Sequence, residues 1–214
     1  KLMKITIIGA GFVGSNAAYR LIERKMCHEL ILLDMNEGTA KGKALDLMQV
    51  APFLSSDVII RGTSNYADIN DSNIVIITAG LPRKPGMSRD ELLKVNAGIV
   101  GSVSEQIKMH SPNAIVIVVT NPLDAMVYTA WKKTGFAPRR VIGMAGVLDS
   151  SRMRTFIADE LHVSVEDVHA MVLGGHGDTM VPLIRYANVG GMPLTDLLSK
   201  EKLDDRIECT NITR

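Results

Sequence analysis

Gly9-Ala10-Gly11-Phe12-Val13-Gly14 follows the apolar run 5–8 and opens a segment of helical period. Glycines at these three positions permit a tight turn, a close approach of phosphate to backbone N–H groups, and close packing of helix on strand. The stretch therefore predicts a strand, a glycine-rich turn and a helix. By itself this pattern is weak, so its meaning depends on the residues around it.

A carboxylate follows the second apolar run at the spacing expected of a dinucleotide site. Asp34 ends the run 30–33, twenty residues after Gly14. A carboxylate there accepts hydrogen bonds from a ribose diol and repels the 2′-phosphate of NADP. No arginine occurs in 35–39, so the sequence favours NAD. The alternative is an aspartate that merely ends a strand.

Six short apolar runs are largely continuous rather than alternating, as in parallel strands that are buried on both faces. Segments of helical period lie between most of them. The predicted fold class is α/β, a Rossmann-type doubly wound parallel sheet of six strands. The runs are 5–8, 30–33, 58–60, 74–77, 115–119 and 141–142.

The regular alternation ends after Gly143. We therefore expect one domain over residues 1–143 and a mixed α+β portion over 144–214, where the runs 168–173 and 180–186 flank a glycine-rich turn. The chain stops at Arg214 inside a helix that is predicted to start near Leu203. The second domain is expected to be incomplete.

Composition excludes several classes of protein. Hydrophobic residues make up 46% and charged residues 22% of the 214 residues, which is ordinary for a globular chain and unlike a disordered or fibrous one. The net charge of +1 and the lack of a basic-aromatic array argue against a nucleic-acid partner. No apolar run approaches the roughly 20 residues of a membrane span, and no signal peptide is evident, so we expect a cytoplasmic protein.

The cysteines indicate no cross-link and no metal site. Cys27 and Cys209 are far apart, and neither belongs to a Cys-x-x-Cys motif. We expect two ordinary thiols and no bound metal.

Two arginines occur in the loop Leu81-Pro82-Arg83-Lys84-Pro85-Gly86-Met87-Ser88-Arg89, which closely follows the run 74–77. Ligands of a doubly wound sheet collect outside the carboxyl ends of its strands, so the loop is expected to face a small anion. A solvated surface loop is the alternative.

Ser88 and Glu91 form a Ser-x-x-Glu capping box, which predicts that a helix begins at about Arg89. Asn96 falls on the apolar stripe of this helix. A buried amide needs hydrogen-bonding partners, so its side chain should reach backbone or ligand.

Four further residues carry polar side chains that suit a reaction site. His176 lies in Gly174-Gly175-His176-Gly177-Asp178, where flanking glycines let an imidazole project into a cleft. Asp149 and Arg152 are three residues apart in a predicted helix, either as site residues or as a local ion pair. Asn121 precedes Pro122 after the run 115–119, either at a ligand or in a plain turn.

These segments, in this order, resemble the lactate/malate dehydrogenase family, and within it the malate dehydrogenases of the lactate-dehydrogenase-like type. The resemblance rests on five stretches, and it runs from Met3 to the end of the chain. They are 9–14, 79–89, 120–124, 143–152 and 174–178.

The resemblance implies an NAD-dependent malate dehydrogenase of the tricarboxylic acid cycle that interconverts (S)-malate and oxaloacetate. His176 would be the proton acceptor, and Asp149 would orient its ring. Arg152 would bind the carboxylate beside the reacting carbon, while Arg89 would polarise the carbonyl and Asn121 would donate to the same oxygen. Arg83 would bind the distal carboxylate, where lactate-specific relatives carry an uncharged residue.

The resemblance also implies a cofactor site and an assembly. Residues 144–214 would be the N-terminal part of the substrate domain, and the last third of the family's chain, which normally completes that domain, is absent here. A homodimer or homotetramer would be expected. The residues expected at NAD are Gly9, Ala10, Gly11, Phe12, Val13, Gly14, Asp34, Asn96, Val119, Thr120 and Asn121.

Two alternatives stay open from the sequence. One is a lactate dehydrogenase or broad 2-hydroxyacid dehydrogenase, which Arg83 disfavours. The other belongs to a different class, a non-catalytic NAD-binding fragment.

Overall fold

A computed structural model describes residues 2–83, 85–177 and 179–211, and the side chains up to residue 205. Lys84, Asp178 and the side chain of Cys209 lie outside the described part. The chain divides into two compact units, residues 1–143 and 144–214.

The first unit contains a six-stranded parallel sheet in the order β3-β2-β1-β4-β5-β6. This is the strand order of a Rossmann-type doubly wound sheet, so the predicted fold class is confirmed. The strands are β1 Lys4–Ile8, β2 Glu29–Leu33, β3 Ile59–Thr63, β4 Ile74–Ile77, β5 Ile115–Val118 and β6 Val141–Gly143.

Helices connect these strands and cover the sheet. Ile7, Leu30 and Leu32 are fully buried in the core, as expected of continuous apolar runs in a sheet covered on both faces. The helices are α1 Phe12–Glu23, α2 Glu37–Val50, α3 Arg89–His110 and α4 Leu123–Thr134.

Strand β3 differs from the prediction of residues 58–60. It extends through Arg61 and Gly62 to Thr63, which pairs with Leu33 of β2. A Cβ on Gly62 would overlap the carbonyl of Ala40 in α2. The strand lies at the sheet edge and under a close helix, so its last residues are not apolar and the hydrophobic pattern missed them.

Helix α3 begins at Arg89, and its N-terminus carries the predicted capping box. The hydroxyl of Ser88 accepts from the N–H of Glu91, and the carboxylate of Glu91 accepts from the N–H of Ser88. The helix therefore fixes where the preceding loop ends.

The second unit is a mixed α+β structure around helix α5 Gly146–Leu161. Each of its two apolar runs is broken: the first divides into two strands of different sheets, and the second leaves strand conformation after Pro182. Its core contains Met153, Ile157 and Val172. The remaining elements are β7 Val168–His169, β8 Val172–Gly174, β9 Met180–Pro182, β10 Asn188–Val189, β11 Met192–Pro193, α6 Leu194–Leu197 and α7 Lys200–Asn211.

In the described part of the chain, no helix combines the length and the apolar character needed to cross a membrane.

Candidate active site

The glycine-rich turn lies between β1 and α1, at the carboxyl edge of the sheet. Gly9 has a φ of 107°, in the region that favours glycine. A Cβ on Gly14 would overlap the carbonyl oxygen of Gly9, so no other residue fits there. Thr78, just after β4, donates from its hydroxyl to the carbonyl of Gly9 at 2.9 Å. These contacts hold the turn against the neighbouring strand.

The N-terminus of α1 is open to a ligand. Gly11 precedes the helix, no side chain among the described residues caps it, and a Cβ placed on Gly11 would meet only open space. Phe12 and Val13 are exposed at its first turn. The first backbone N–H groups of a helix have no partners within the helix and carry partial positive charge, which suits a phosphate.

Asp34 follows β2 and links this turn to the sheet. Its Oδ2 accepts from the N–H of Ala10 at 2.8 Å, and its Oδ1 accepts from the N–H of Asn36 at 2.9 Å. A carboxylate offers about four acceptor positions, so each oxygen can also accept from a ribose hydroxyl. The carboxylate lies beside the glycine turn, as a ribose diol linked to a pyrophosphate requires.

Tyr66, in the turn after β3, lies near enough to the same carboxylate for its charge to act on the phenol. Its pKa is raised, first by burial and then by the negative charge of Asp34. The uncapped helix, the glycine cradle and Asp34 together fit a dinucleotide.

The loop between β4 and α3 carries both arginines on the surface. The Nε of Arg83 donates to the carbonyl of Met87 across the loop, at 3.2 Å. Arg89 is the first residue of α3 and is exposed. Helix N-termini disfavour cations, so Arg89 does not gain stability from its position.

Asn96 is buried, with 1% of its surface exposed, and its amide bonds to backbone. It joins the start of the arginine loop, at Leu81, to the carbonyl of Asn121. This is the backbone partner that the sequence analysis gave as one of two options. Asn121 itself is exposed, between β5 and α4, and its peptide bond to Pro122 is cis.

Thr120 is the second link between these segments. Its hydroxyl donates to the carbonyl of Ala79 at 2.7 Å. Val119 precedes it, and the N–H of Val119 donates to the carbonyl of Ile77 at 2.9 Å. The ends of β4 and β5 are therefore held together where the two loops leave the sheet.

In the second unit, the buried carboxylate of Asp149 contacts both a guanidinium and an imidazole. The Oδ2 of Asp149 lies 2.9 Å from the Nδ1 of His176, and its Oδ1 lies 3.2 Å from a terminal nitrogen of Arg152. Asp149 is 1% exposed. Because an ionised carboxylate only accepts hydrogen bonds, it places the proton of a neutral imidazole on Nδ1.

The local fold explains why His176 reaches Asp149. Asp149 lies in the first turn of α5, and His176 lies in the loop between β8 and β9. Ser150, the next residue of α5, accepts from the N–H of Val172 at 2.9 Å and so ties β8 to this helix. Gly174 has a φ of 89° at the start of the loop.

Sequence reasoning missed three residues that support these sites, namely Thr78, Tyr66 and Ser150. Thr78 follows an apolar run directly, as Asp34 does, and that position was the available signal. Ser150 lies between Asp149 and Arg152, which the sequence had already indicated as site residues. Nothing in the spacing of Tyr66 indicated that it would lie near Asp34.

Comparisons with known proteins agree with this geometry. Residues 3–143 match the lactate/malate dehydrogenase NAD binding domain, and residues 146–214 match the lactate/malate dehydrogenase alpha/beta C-terminal domain.

A malate dehydrogenase of Chlorobium phaeobacteroides is 53% identical over 208 residues, which cover 97% of this chain and 67% of that protein. The chain thus spans about two thirds of the length of this relative.

Two solved structures are similar throughout the chain. The apo malate dehydrogenase of Picrophilus torridus has a TM-score of 0.94 and 49% identity, covering 99% of this chain and 67% of that one. The lactate dehydrogenase of Cryptosporidium parvum, complexed with lactic acid and nicotinamide adenine dinucleotide, has a TM-score of 0.93 and 45% identity, with coverage of 99% and 68%.

Proposed function

Because this chain belongs to the lactate/malate dehydrogenase family, we propose that it acts as an NAD-dependent malate dehydrogenase, interconverting (S)-malate and oxaloacetate. The observation that carries the proposal is the buried carboxylate of Asp149, bonded both to His176 and to Arg152. A proton-exchanging imidazole and a carboxylate-binding guanidinium held by one anchor suit the oxidation of a 2-hydroxy acid.

NAD, when bound, supplies the nicotinamide ring that accepts or returns the hydride. The residues of the first unit bind and orient it. The turn from Gly9 to Gly14 and the N-terminus of α1 hold the pyrophosphate, and Asp34 accepts from the adenosine ribose. Val119, Thr120 and Asn121 line the site at the ends of the strands. Asn96 belongs to the same site, and its amide holds the segments of Leu81 and Asn121 in place.

His176 exchanges the proton of the substrate hydroxyl through Nε2. Asp149 accepts from Nδ1, fixes the orientation of the ring and stabilises the imidazolium that forms when malate is oxidised. Its burial strengthens this electrostatic contact, because little water screens the charge.

Three residues bind the reacting end of the substrate. Arg152 pairs with the carboxylate beside the reacting carbon, since a planar guanidinium can donate two parallel hydrogen bonds. Arg89 stabilises the negative charge that develops on the carbonyl oxygen as hydride arrives. Asn121 donates a hydrogen bond to that same oxygen.

Arg83 binds the distal carboxylate and so selects a dicarboxylate over lactate. Its guanidinium is exposed and bonded only weakly within the loop, at 3.2 Å from the carbonyl of Met87. That contact is readily exchanged for a charge-assisted one with substrate. When the loop covers the substrate, it excludes water from the hydride transfer.

The decisive test is substrate preference. NADH formation should be faster with malate than with lactate, measured with the purified protein at saturating NAD. A preference for lactate would indicate a lactate dehydrogenase or a broad 2-hydroxyacid dehydrogenase instead. Binding of NAD in a calorimeter, without turnover of either acid, would indicate a non-catalytic NAD-binding protein.

Residues 1–143 are the NAD-binding domain in this proposal, and residues 144–214 are the N-terminal part of the substrate domain. The protein works in the cytoplasm, in the tricarboxylic acid cycle. It assembles as a homodimer or homotetramer, which is supported by exposed apolar side chains on α2 and just after it, Leu45, Met48 and Phe53. Size-exclusion chromatography with light scattering tests the assembly.

A further inference from the structure

The side chain of Asn96 makes its hydrogen bonds to the protein's own backbone. Its Oδ1 accepts from the N–H of Leu81 at 2.8 Å. Its Nδ2 donates to the carbonyl of Leu81 at 3.1 Å and to the carbonyl of Asn121 at 2.7 Å. An amide nitrogen has two hydrogens, so both are used. Asn96 is 1% exposed, which leaves its side chain no donor for a ligand.

These bonds join two segments that are distant in sequence. Leu81 is the start of the loop that carries Arg83, and Asn121 begins the turn into α4. The link from Thr120 to Ala79 runs beside them. We call this set, residues 79–81, 96 and 120–121, the Asn96 junction.

The junction is packed as well as hydrogen-bonded. A Cβ on Gly80 would overlap the Cγ2 of Thr120 and would lie 3.3 Å from the Oδ1 of Asn96. Only glycine lets the chain pass between these two side chains without displacing one of them. Because interiors are packed to high density, Leu81 has little freedom to shift.

The far end of the loop is anchored to the same helix. Ser88 and Glu91 fix the chain at the first turn of α3. Asn96, at the end of the second turn, holds Leu81. Arg89 and Asn96 are seven residues apart, which is about 10 Å along a helix. Both ends of the loop are therefore held by helix α3.

We propose that Asn96 is a positioning residue, which acts by holding the loop of Arg83 against the main chain of Asn121. The inference rests on the proposed function, in which Arg83 and Asn121 bind opposite parts of one substrate. It gives Asn96 a role different from direct contact of its side chain with NAD. Loss of the junction loosens substrate binding more than cofactor binding, because the glycine turn and Asp34 lie outside it.

Two variants perturb the junction from different sides. Asn96→Asp keeps the shape and the acceptor, but it replaces both donated hydrogen bonds by a carboxylate oxygen facing two carbonyls. Gly80→Ala keeps Asn96 and displaces the chain beside it. Ser104→Ala is the matched control, because Ser104 is buried in the same helix and its hydroxyl donates to Val100, away from the loop.

The test compares cofactor binding with substrate kinetics, at a temperature where circular dichroism shows each variant folded. We expect both junction variants to raise the KM for oxaloacetate roughly tenfold or more, since small misplacements of binding groups are costly. The dissociation constant for NAD, measured by calorimetry, should rise by a smaller factor than the KM in both variants, because the glycine turn and Asp34 lie outside the junction. Ser104→Ala should change neither quantity.

An equal loss of NAD affinity in Asn96→Asp would overturn the proposal in favour of a cofactor contact, and unchanged kinetics in both variants would overturn it outright.

A second readout does not depend on turnover. Hydrogen exchange at the N–H of Leu81 should be slow in the unmodified protein and at least about tenfold faster in Asn96→Ala, because that variant removes its acceptor. Equal exchange rates would contradict the junction itself. If the unmodified protein binds NAD but turns over neither malate nor lactate, the proposed function fails, and the exchange rates still decide whether Asn96 holds the loop.

Discussion

The Nδ1 of His176 lies 2.9 Å from the Oδ2 of Asp149, although 27 residues separate them in sequence. The carboxylate is buried and comes from the first turn of α5, whereas the imidazole comes from a glycine-flanked loop. A hydrogen bond to a buried carboxylate determines which ring nitrogen is protonated and stabilises the ring once it is charged. The chemistry proposed for this chain depends on that pair.

Replacing Asp149 by asparagine should reduce kcat for malate oxidation roughly 100-fold or more, within the range that general acid–base groups contribute. The amide removes the negative charge that stabilises the imidazolium. NAD affinity should stay unchanged, because Asp149 is not among the proposed cofactor residues.

The matched control is Asp159→Asn, which alters an exposed carboxylate later in the same helix. It should leave kcat unchanged. If Asp149→Asn retained full kcat, the pair would have no role in the reaction.

The two reaction directions should respond oppositely to pH. Malate oxidation needs the neutral imidazole of His176, so its hydride-transfer rate should fall as the pH falls. Oxaloacetate reduction needs the protonated imidazole, so its rate should fall as the pH rises. Rapid-mixing measurements on the cofactor-bound protein separate this step from product release.

The variant His169→Gln, which changes an exposed histidine of the same unit, should leave both profiles as they are. Parallel profiles in the two directions would show that His176 is not the proton carrier.

Arg83→Gln should lower the preference for oxaloacetate over pyruvate roughly 10- to 100-fold, the value of hydrogen bonds to a charged group. The effect should appear in kcat/KM for oxaloacetate, because glutamine offers a neutral partner to the distal carboxylate. Arg139→Gln, an exposed arginine elsewhere in the first unit, serves as the control. Unchanged discrimination in Arg83→Gln would refute its role as the selector.

Ser88→Ala should reduce the free energy of unfolding by about 1 kcal/mol, because it removes the side-chain cap of α3. Urea denaturation measures the change. Ser102→Ala, at an exposed position inside the same helix, should cost little. An equal cost for both substitutions would mean that the capping box contributes nothing special.

The thiol of Cys27 should react slowly with alkylating agents in the folded protein. Burial raises its pKa to about 11, so near pH 8 the thiolate fraction is about a hundredfold below that of a thiol with a pKa of 9.0. Because the pKa is raised, the reactivity of the thiol should increase as the pH approaches 11. Unfolding removes the burial and should increase the reactivity at once. Peptide mass spectrometry resolves Cys27 from Cys209, and rapid labelling of Cys27 at pH 8 would contradict its burial.

Much of the first unit was predictable from local sequence rules. The glycine turn, five of the six strands and the start of α3 follow from residue types within a few positions of one another. Strand β3 was predicted too short, since its end is specified by pairing with β2 and by the close approach of α2 to Gly62. Edge strands carry less of the apolar signal on which such predictions depend.

The second unit was harder to predict because its strands are only two or three residues long. A run of six residues, 168–173, reads as one strand, but it supplies β7 to one sheet and β8 to another. Pairing with β10 and with β9 decides this division, and neither partner is local. In strands this short, the intrinsic preference of the residues for β structure is weak, so tertiary contacts decide where each strand begins and ends.

The sequence by itself determined the fold class, the glycine turn with Asp34, and the residues proposed for catalysis, because each depends on a spacing or on a recognisable motif. Only the tertiary structure decided how those residues are held. Asn96 bonds to Leu81 and Asn121, Thr78 supports Gly9, and Asp149 receives His176.

These contacts join residues between 15 and 69 positions apart. Hydrogen bonds of this kind form only after packing has brought the segments together, so no local pattern in the chain encodes them.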